Sequence, residues 1–195
     1  MRYFRPDDLR DVLAAIDPQY RVFVQVLATG GLRFGEAAAL RIGRCDLARS
    51  RLVVAESLAD VSGTLYFGAP KTHQRRVVHL PRIVRDSLAA HVSLTDGRES
   101  TLVFEAPRGG PVRYSNFLRR VWKPALIEAG LPEVGIHVLR HTCAAMLIAQ
   151  GAHPKAIQSR LGHRSITTTL DRYGTFLRMC TSASQNVWTT PTPMS

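Results

Sequence analysis

A mainly helical fold carrying one small antiparallel sheet is what this 195-residue sequence predicts. Three observations lead there. Apolar residues recur at helical spacing through most of the chain, as in Leu9, Val12, Leu13 and Ile16. That period gives way to short apolar runs separated by turn residues between about residues 51 and 80. Apolar side chains make up 45% of the chain, which is enough for a core and too many for a disordered polymer. The length suits one domain, expected over residues 1–175, followed by a tail over 176–195 whose end is expected to be disordered.

The elements follow in order. Arg5-Pro6-Asp7-Asp8 reads as a helix start, with acids in the first turn. Pro18 restarts the chain, Tyr20 to Thr29 forms an apolar and buried helix, and Gly30-Gly31 breaks it. Arg33 to Ile42 reads as a third helix on the strength of Ala37, Ala38, Ala39 and Leu40. Arg51 to Ser57, Leu65 to Gly68 and Arg76 to Leu80 read as strands, the last two joined around Pro70 to Gln74. Helix returns at Ile83 to Val92. After the Thr95 to Arg98 loop and the Pro107 to Pro111 turn, it returns again at Tyr114 to Ala129, with Phe117, Leu118, Val121 and Trp122 on a shared face. His137 to Ala149 is capped by Gly151. Pro154 to Leu161 opens on a proline and stops at Gly162. Ser165 is the N-cap of a last helix to Arg172.

Lys and Arg number 26 against 15 Asp and Glu, a net charge of +11, so a nucleic acid is the partner to consider first. Three cysteines, Cys45, Cys143 and Cys180, are widely spaced and odd in number, which argues against a disulfide framework or a zinc site and suits a reducing compartment. No apolar run is long enough to span a membrane, and early charges interrupt any signal-peptide pattern.

The stretch from His137 to Tyr173 concentrates reactive groups. His137 and Arg140 lie three apart, Gly162-His163 follows, and Tyr173 comes ten residues after His163. A phenol can attack phosphorus, a guanidinium can hold phosphate oxygens, and imidazoles can move protons or donate hydrogen bonds. His137 and His141, four apart, have zinc-ligand spacing. No acid lies between them, however, and Arg140 would repel a cation, so no metal is expected. His141, one residue past Arg140, faces another direction on the helix and is given a supporting role.

Four segments in order resemble the boxes of the tyrosine recombinases (phage integrases). They are Thr29-Gly30-Gly31-Leu32-Arg33-Phe34-Gly35-Glu36, Pro70-Lys71-Thr72 through Arg76, His137-Val138-Leu139-Arg140-His141-Thr142, and Leu161-Gly162-His163 with Thr168 to Tyr173. The likeness runs from about Arg5 to Tyr173 and is nearest to integrases of phages and mobile elements of high-GC bacteria. It implies the catalytic-domain fold of that family and site-specific cutting and rejoining of DNA through a 3′-phosphotyrosine, with no cofactor. It also implies Tyr173 as nucleophile, Arg33 and Arg140 on the non-bridging oxygens, and Lys71 as acid to the leaving 5′ oxygen. His137 would be the acid or base for the tyrosine proton, and His163 a donor to the phosphate. Glu36, three residues after Arg33, would fix that side chain. Arg75, Arg76 and Arg164 would hold flanking DNA.

Val138 stands where the family more often has an acid, which bears on how His137 is oriented. The resemblance implies that residue 1 falls near where the family's catalytic domain begins; in the family a helical domain usually precedes it. The expected partners are double-stranded DNA attachment sites, with a homotetramer forming on DNA and a monomer or weak assembly without it, in the cytoplasm. Phe176, Leu177, Met179, Val187 and Trp188 are candidates to dock the tail on a neighbour or back on its own domain. Alternatives with overlapping sequence features are a DNA-relaxing type IB topoisomerase, a host chromosome-dimer resolvase and a recombinase-derived module that binds DNA without cutting it.

Overall fold

The computed structural model describes residues 2–70, 75–171 and 173–174. Helix α1 (Pro6–Ala15) begins on a proline, with the Asp8 carboxylate accepting from the Arg5 backbone N–H at 2.8 Å. Helix α2 (Pro18–Gly30) is capped by Asp17 and ends at Gly31, whose φ of +66° suits a residue without a Cβ. Phe23, Val24, Val26 and Leu27 of α2 are buried, and the Phe23 ring meets Phe34, Phe104 and Phe117 at centroid distances of 5.1–5.3 Å. This aromatic cluster makes α2 the centre of the core.

Helix α3 covers only Phe34–Ala38, shorter than the Arg33 to Ile42 expected. Alanine propensity loses to long-range pairing here. Val103 N donates to Leu40 O at 2.8 Å and Ile42 N to Thr101 O at 3.0 Å, which draws residues 40–42 out of the helix and against 101–103.

Strands β1 (Cys45–Asp46), β2 (Arg51–Val54) and β5 (Arg76–His79) form one antiparallel sheet in the order β1-β2-β5. Strands β3 (Ser57–Val61) and β4 (Thr64–Gly68) pair only with each other, so the expected single sheet is two. The division falls at residues 55–56. Val54 still pairs with Arg76, whereas Ser57 already pairs with Gly68. Ser62 and Gly63, at φ +52° and +86°, make the tight two-residue turn between β3 and β4.

Helix α4 (Arg82–Val92) packs on α2. The expected helix from Tyr114 to Ala129 is present as α5 (Tyr114–Phe117), a wide π turn over Leu118–Trp122, and α6 (Lys123–Glu128). Pro124 explains the widening, because it lacks an N–H and its ring would strike the carbonyl of residue 120 in a regular α turn. Helix α7 (Val138–Ala149) packs on α2 and α8 (Pro154–Leu161), and a helical stretch over 166–171 follows. The Ser165 hydroxyl accepts from Thr167 N at 3.1 Å, as expected of an N-cap. A second apolar cluster joins Ala144, Ile148, Ile157, Leu161 and Tyr173. The expected tail over 176–195 lies outside the described residues.

Among the described residues no helix is long and apolar enough to cross a membrane. Gly31 sits where α2, α7 and α8 converge. A Cβ there would lie 2.7 Å from Leu161 Cδ2 and 3.0 Å from Cys143 Sγ. Gly31→Ala is expected to cost about 1–3 kcal/mol of stability, from overpacking and a left-handed backbone. Urea denaturation of the two proteins measures it, and equal midpoints would contradict the crowding.

Candidate active site

Glu36 is the hub of the candidate site. It lies in the first turn of α3 with its side chain wholly buried. Its carboxylate accepts from the Arg33 backbone N–H at 2.8 Å and from Arg33 Nη1 at 2.9 Å, so one acid caps the helix and holds the arginine before it. The same carboxylate accepts from Arg76 Nη1 at 3.1 Å and Nη2 at 2.6 Å, a two-pronged ion pair from β5. Burial pushes the Glu36 carboxyl up, but the hydrogen bonds and charge of Arg76, with those of Arg33, outweigh it and hold the group below its ordinary value.

Arg76 Nε donates to Arg160 O at 3.0 Å. Arg160 in turn donates to Thr29 O at 2.7 Å and His79 O at 2.6 Å, tying α8 to the end of α2 and to β5. Arg140, only 2% exposed on α7, donates to Gly31 O at 2.6 Å and to Leu161 O. Its pKa is lowered to about 10, first by burial and then by the charges of Arg33 and Arg76, against the pull of Glu36 and Tyr173. It therefore stays charged at neutral pH. Three guanidiniums around one carboxylate leave excess positive charge, which suits an anionic ligand.

Tyr173 is 3% exposed. Its hydroxyl is 3.0 Å from His141 Nδ1, and its ring lies parallel to that of His163 at 6.4 Å. His163 is buried at the end of α8, with Nδ1 2.9 Å from the hydroxyl of Thr169, itself wholly buried. His137 is exposed one turn before His141, and the two rings meet edge to face at 4.9 Å.

Arg33, Glu36, Arg140, His163 and Tyr173 are thus gathered from the start of α3, from α7 and from the end of the described chain. Lys71 lies outside the described residues. Arg75 and Arg164 are exposed. Arg76 needs a correction: its side chain is 7% exposed and bonded through all three guanidinium nitrogens, so it is an internal strut rather than a clamp on DNA. The signal was present in the strand period, which places Arg76 on the same face as buried Val78 and Leu80. His141, given only a supporting role because it points in another direction from Arg140, meets the phenol oxygen. Arg160 and Thr169 were not foreseen, because their partners are backbone and side-chain atoms brought close only by folding. Among the described residues no group of three or more His, Cys, Asp or Glu is disposed to hold a metal ion.

The helices around two small antiparallel sheets and the clustered arginines, histidines and tyrosine define a class. Residues 2–176 match the phage integrase family, and the chain belongs to it. It is 32% identical over 167 residues to the integrase of Mycobacterium phage FRAT1, covering 81% of this chain and 49% of that protein. It is 30% identical over 169 residues to tyrosine recombinase XerA of Thermococcus kodakarensis, covering 84% of this chain and 54% of that protein. The chain spans about half the length of these curated relatives. The Tn1549 transposon integrase, solved in complex with a circular intermediate DNA, has the same fold with a TM-score of 0.77 at 23% identity, covering 87% of this chain and 60% of that one.

The Glu36 pairing has a pH signature. A carboxyl held low in the folded state contributes stability that is present above its unfolded pKa and is lost as pH falls through the folded value. Glu36→Gln is expected to cost about 3–5 kcal/mol near neutral pH, because it leaves buried Arg76 unpaired. The gap between the two proteins should close in acid below the ordinary carboxylate range. Denaturation across pH measures it, and a gap that is constant with pH would contradict the ion pair.

Proposed function

We propose that this chain is the catalytic domain of a site-specific DNA recombinase that cuts and rejoins strands through a 3′-phosphotyrosine. The observation that carries the reading is the gathering of Arg33, Arg140, His163 and Tyr173 in one positively charged site. In the proposed reaction the Tyr173 oxygen attacks phosphorus and the 5′ oxygen leaves. Arg33 and Arg140 take the non-bridging oxygens, whose charge grows in the transition state, so their binding speeds the step rather than only tightening the complex. Each terminal guanidinium nitrogen carries two hydrogens, so Arg140 keeps donors for phosphate beyond those spent on Gly31 and Leu161. His163 supplies a further donor. Lys71 is assigned the proton for the departing 5′ oxygen by resemblance to the family. The phosphotyrosyl bond conserves the energy of the diester, and attack by the 5′ hydroxyl of a partner strand reverses the step.

Tyr173 is 3% exposed and packed against α7 and α8, so the side chain must become accessible to DNA before attack. The likeness to recombinases solved on DNA supports double-stranded DNA as the partner; the proposed assembly is a homotetramer on DNA, acting in the cytoplasm. Phosphate contacts make binding steeply salt-dependent.

The test uses a pool of nicked duplexes with a randomised target region, scored for protein–DNA adducts that survive denaturation. Wild type is expected to form an adduct without added metal. Tyr173→Phe keeps DNA binding and loses the adduct, and Arg33→Ala slows its formation by about 10²–10³-fold. An adduct that persists in Tyr173→Phe would overturn the assignment.

A further inference from the structure

We infer that His141, rather than serving only as a support, is a catalytic residue: it accepts the Tyr173 hydroxyl proton during cleavage and returns it during rejoining. The inference rests on the recombinase reading above. Its observation is separate, namely the 3.0 Å approach of His141 Nδ1 to the phenol oxygen, the atom that must lose a proton to become a nucleophile. The rings of His141 and Tyr173 meet edge to face at 5.9 Å, an arrangement that lets a ring nitrogen lie in the path of the O–H. With its hydrogen on Nε2, His141 presents Nδ1 as an acceptor. His141 is half-buried on α7, one residue after Arg140, so the helix that carries a phosphate-binding guanidinium also carries the base. His137, first read as the base, is exposed and meets the His141 ring one turn away.

The step balances without a further reactant. The phenol proton passes to His141 Nδ1 as the oxygen–phosphorus bond forms. The bond from phosphorus to the 5′ oxygen breaks, and that oxygen takes a proton from the acid assigned to Lys71. In rejoining, the 5′ hydroxyl attacks phosphorus and returns its proton to the group that had protonated it. The tyrosine oxygen leaves and recovers its own from the His141 imidazolium. A residue that deprotonates the nucleophile forward must protonate the leaving phenol in reverse, so one imidazole serves both directions.

The test compares His141→Ala with wild type on a nicked duplex recovered from the randomised pool, with Tyr173 either natural or replaced by the more acidic 3,5-difluorotyrosine. A general base contributes about 10²–10⁴-fold, so His141→Ala is expected to slow adduct formation by at least about a hundredfold. The difluorinated phenol, already ionised near neutral pH, should recover most of that loss. His141→Asn, which keeps an acceptor near the phenol but takes no proton, should hold the fold and remain slow, and thermal melting checks the folding of each variant. A loss of equal size with both phenols would mean that His141 only packs or orients, and would overturn the inference, as would unchanged rates. Absence of any adduct from wild type would instead count against the recombinase reading itself.

Discussion

Glu36 accepts hydrogen bonds from Arg33 and Arg76 while wholly out of water, and segments far apart in the chain meet on that carboxylate. The start of α3 reaches it directly. Strand β5 reaches it through Arg76, and α8 joins through the carbonyl of Arg160. Buried ion pairs are not strong sources of net stability, because desolvation offsets most of the attraction. They are costly to break, however, and they have few ways to form. The pair therefore acts chiefly to select one arrangement of α3 against the sheet, and with it one direction for the Arg33 side chain.

Arg140 extends the same logic across the site. Its two terminal nitrogens are fixed on the carbonyls of Gly31 and Leu161, which close α2 and α8. A guanidinium held this way is oriented before any ligand arrives. Its cost is visible in the pKa, brought down to about 10 by burial and by neighbouring arginines. A phosphodiester would relieve that repulsion by adding negative charge among the three guanidiniums. Preorganised cations of this kind accelerate a reaction because they need not rearrange as charge develops.

Much of this was legible in the sequence, and the exceptions share a cause. The helices from Pro6, Pro18 and Pro154 were read from their prolines, periodicity and terminal glycines, all local signals. Arg33, Arg140, His163 and Tyr173 stood out through resemblance and order. The third helix was read too long, because alanine propensity is local whereas the pairing of residues 40–42 with 101–103 is not. Arg76 was read as a surface clamp from its charge, although the alternation of β5 already turned it inward. His141 was set aside because helical geometry separates neighbouring residues by about 100°. That argument is right for Arg140 and His141 relative to each other. It says nothing about Tyr173, which comes from another element and meets His141 from its own side. Contacts between elements distant in sequence are set by tertiary packing, and neither periodicity nor composition encodes them one residue at a time.

In the proposed reaction Arg33, Arg140 and Tyr173 converge on one phosphorus. The most direct measurement is a crystal structure of the covalent adduct trapped on a nicked duplex. The expected result is a phosphorus bonded to the Tyr173 oxygen, with its non-bridging oxygens within hydrogen-bonding distance of the Arg33 and Arg140 guanidiniums. A phosphate bound away from those two arginines, or carried by a different side chain, would contradict it.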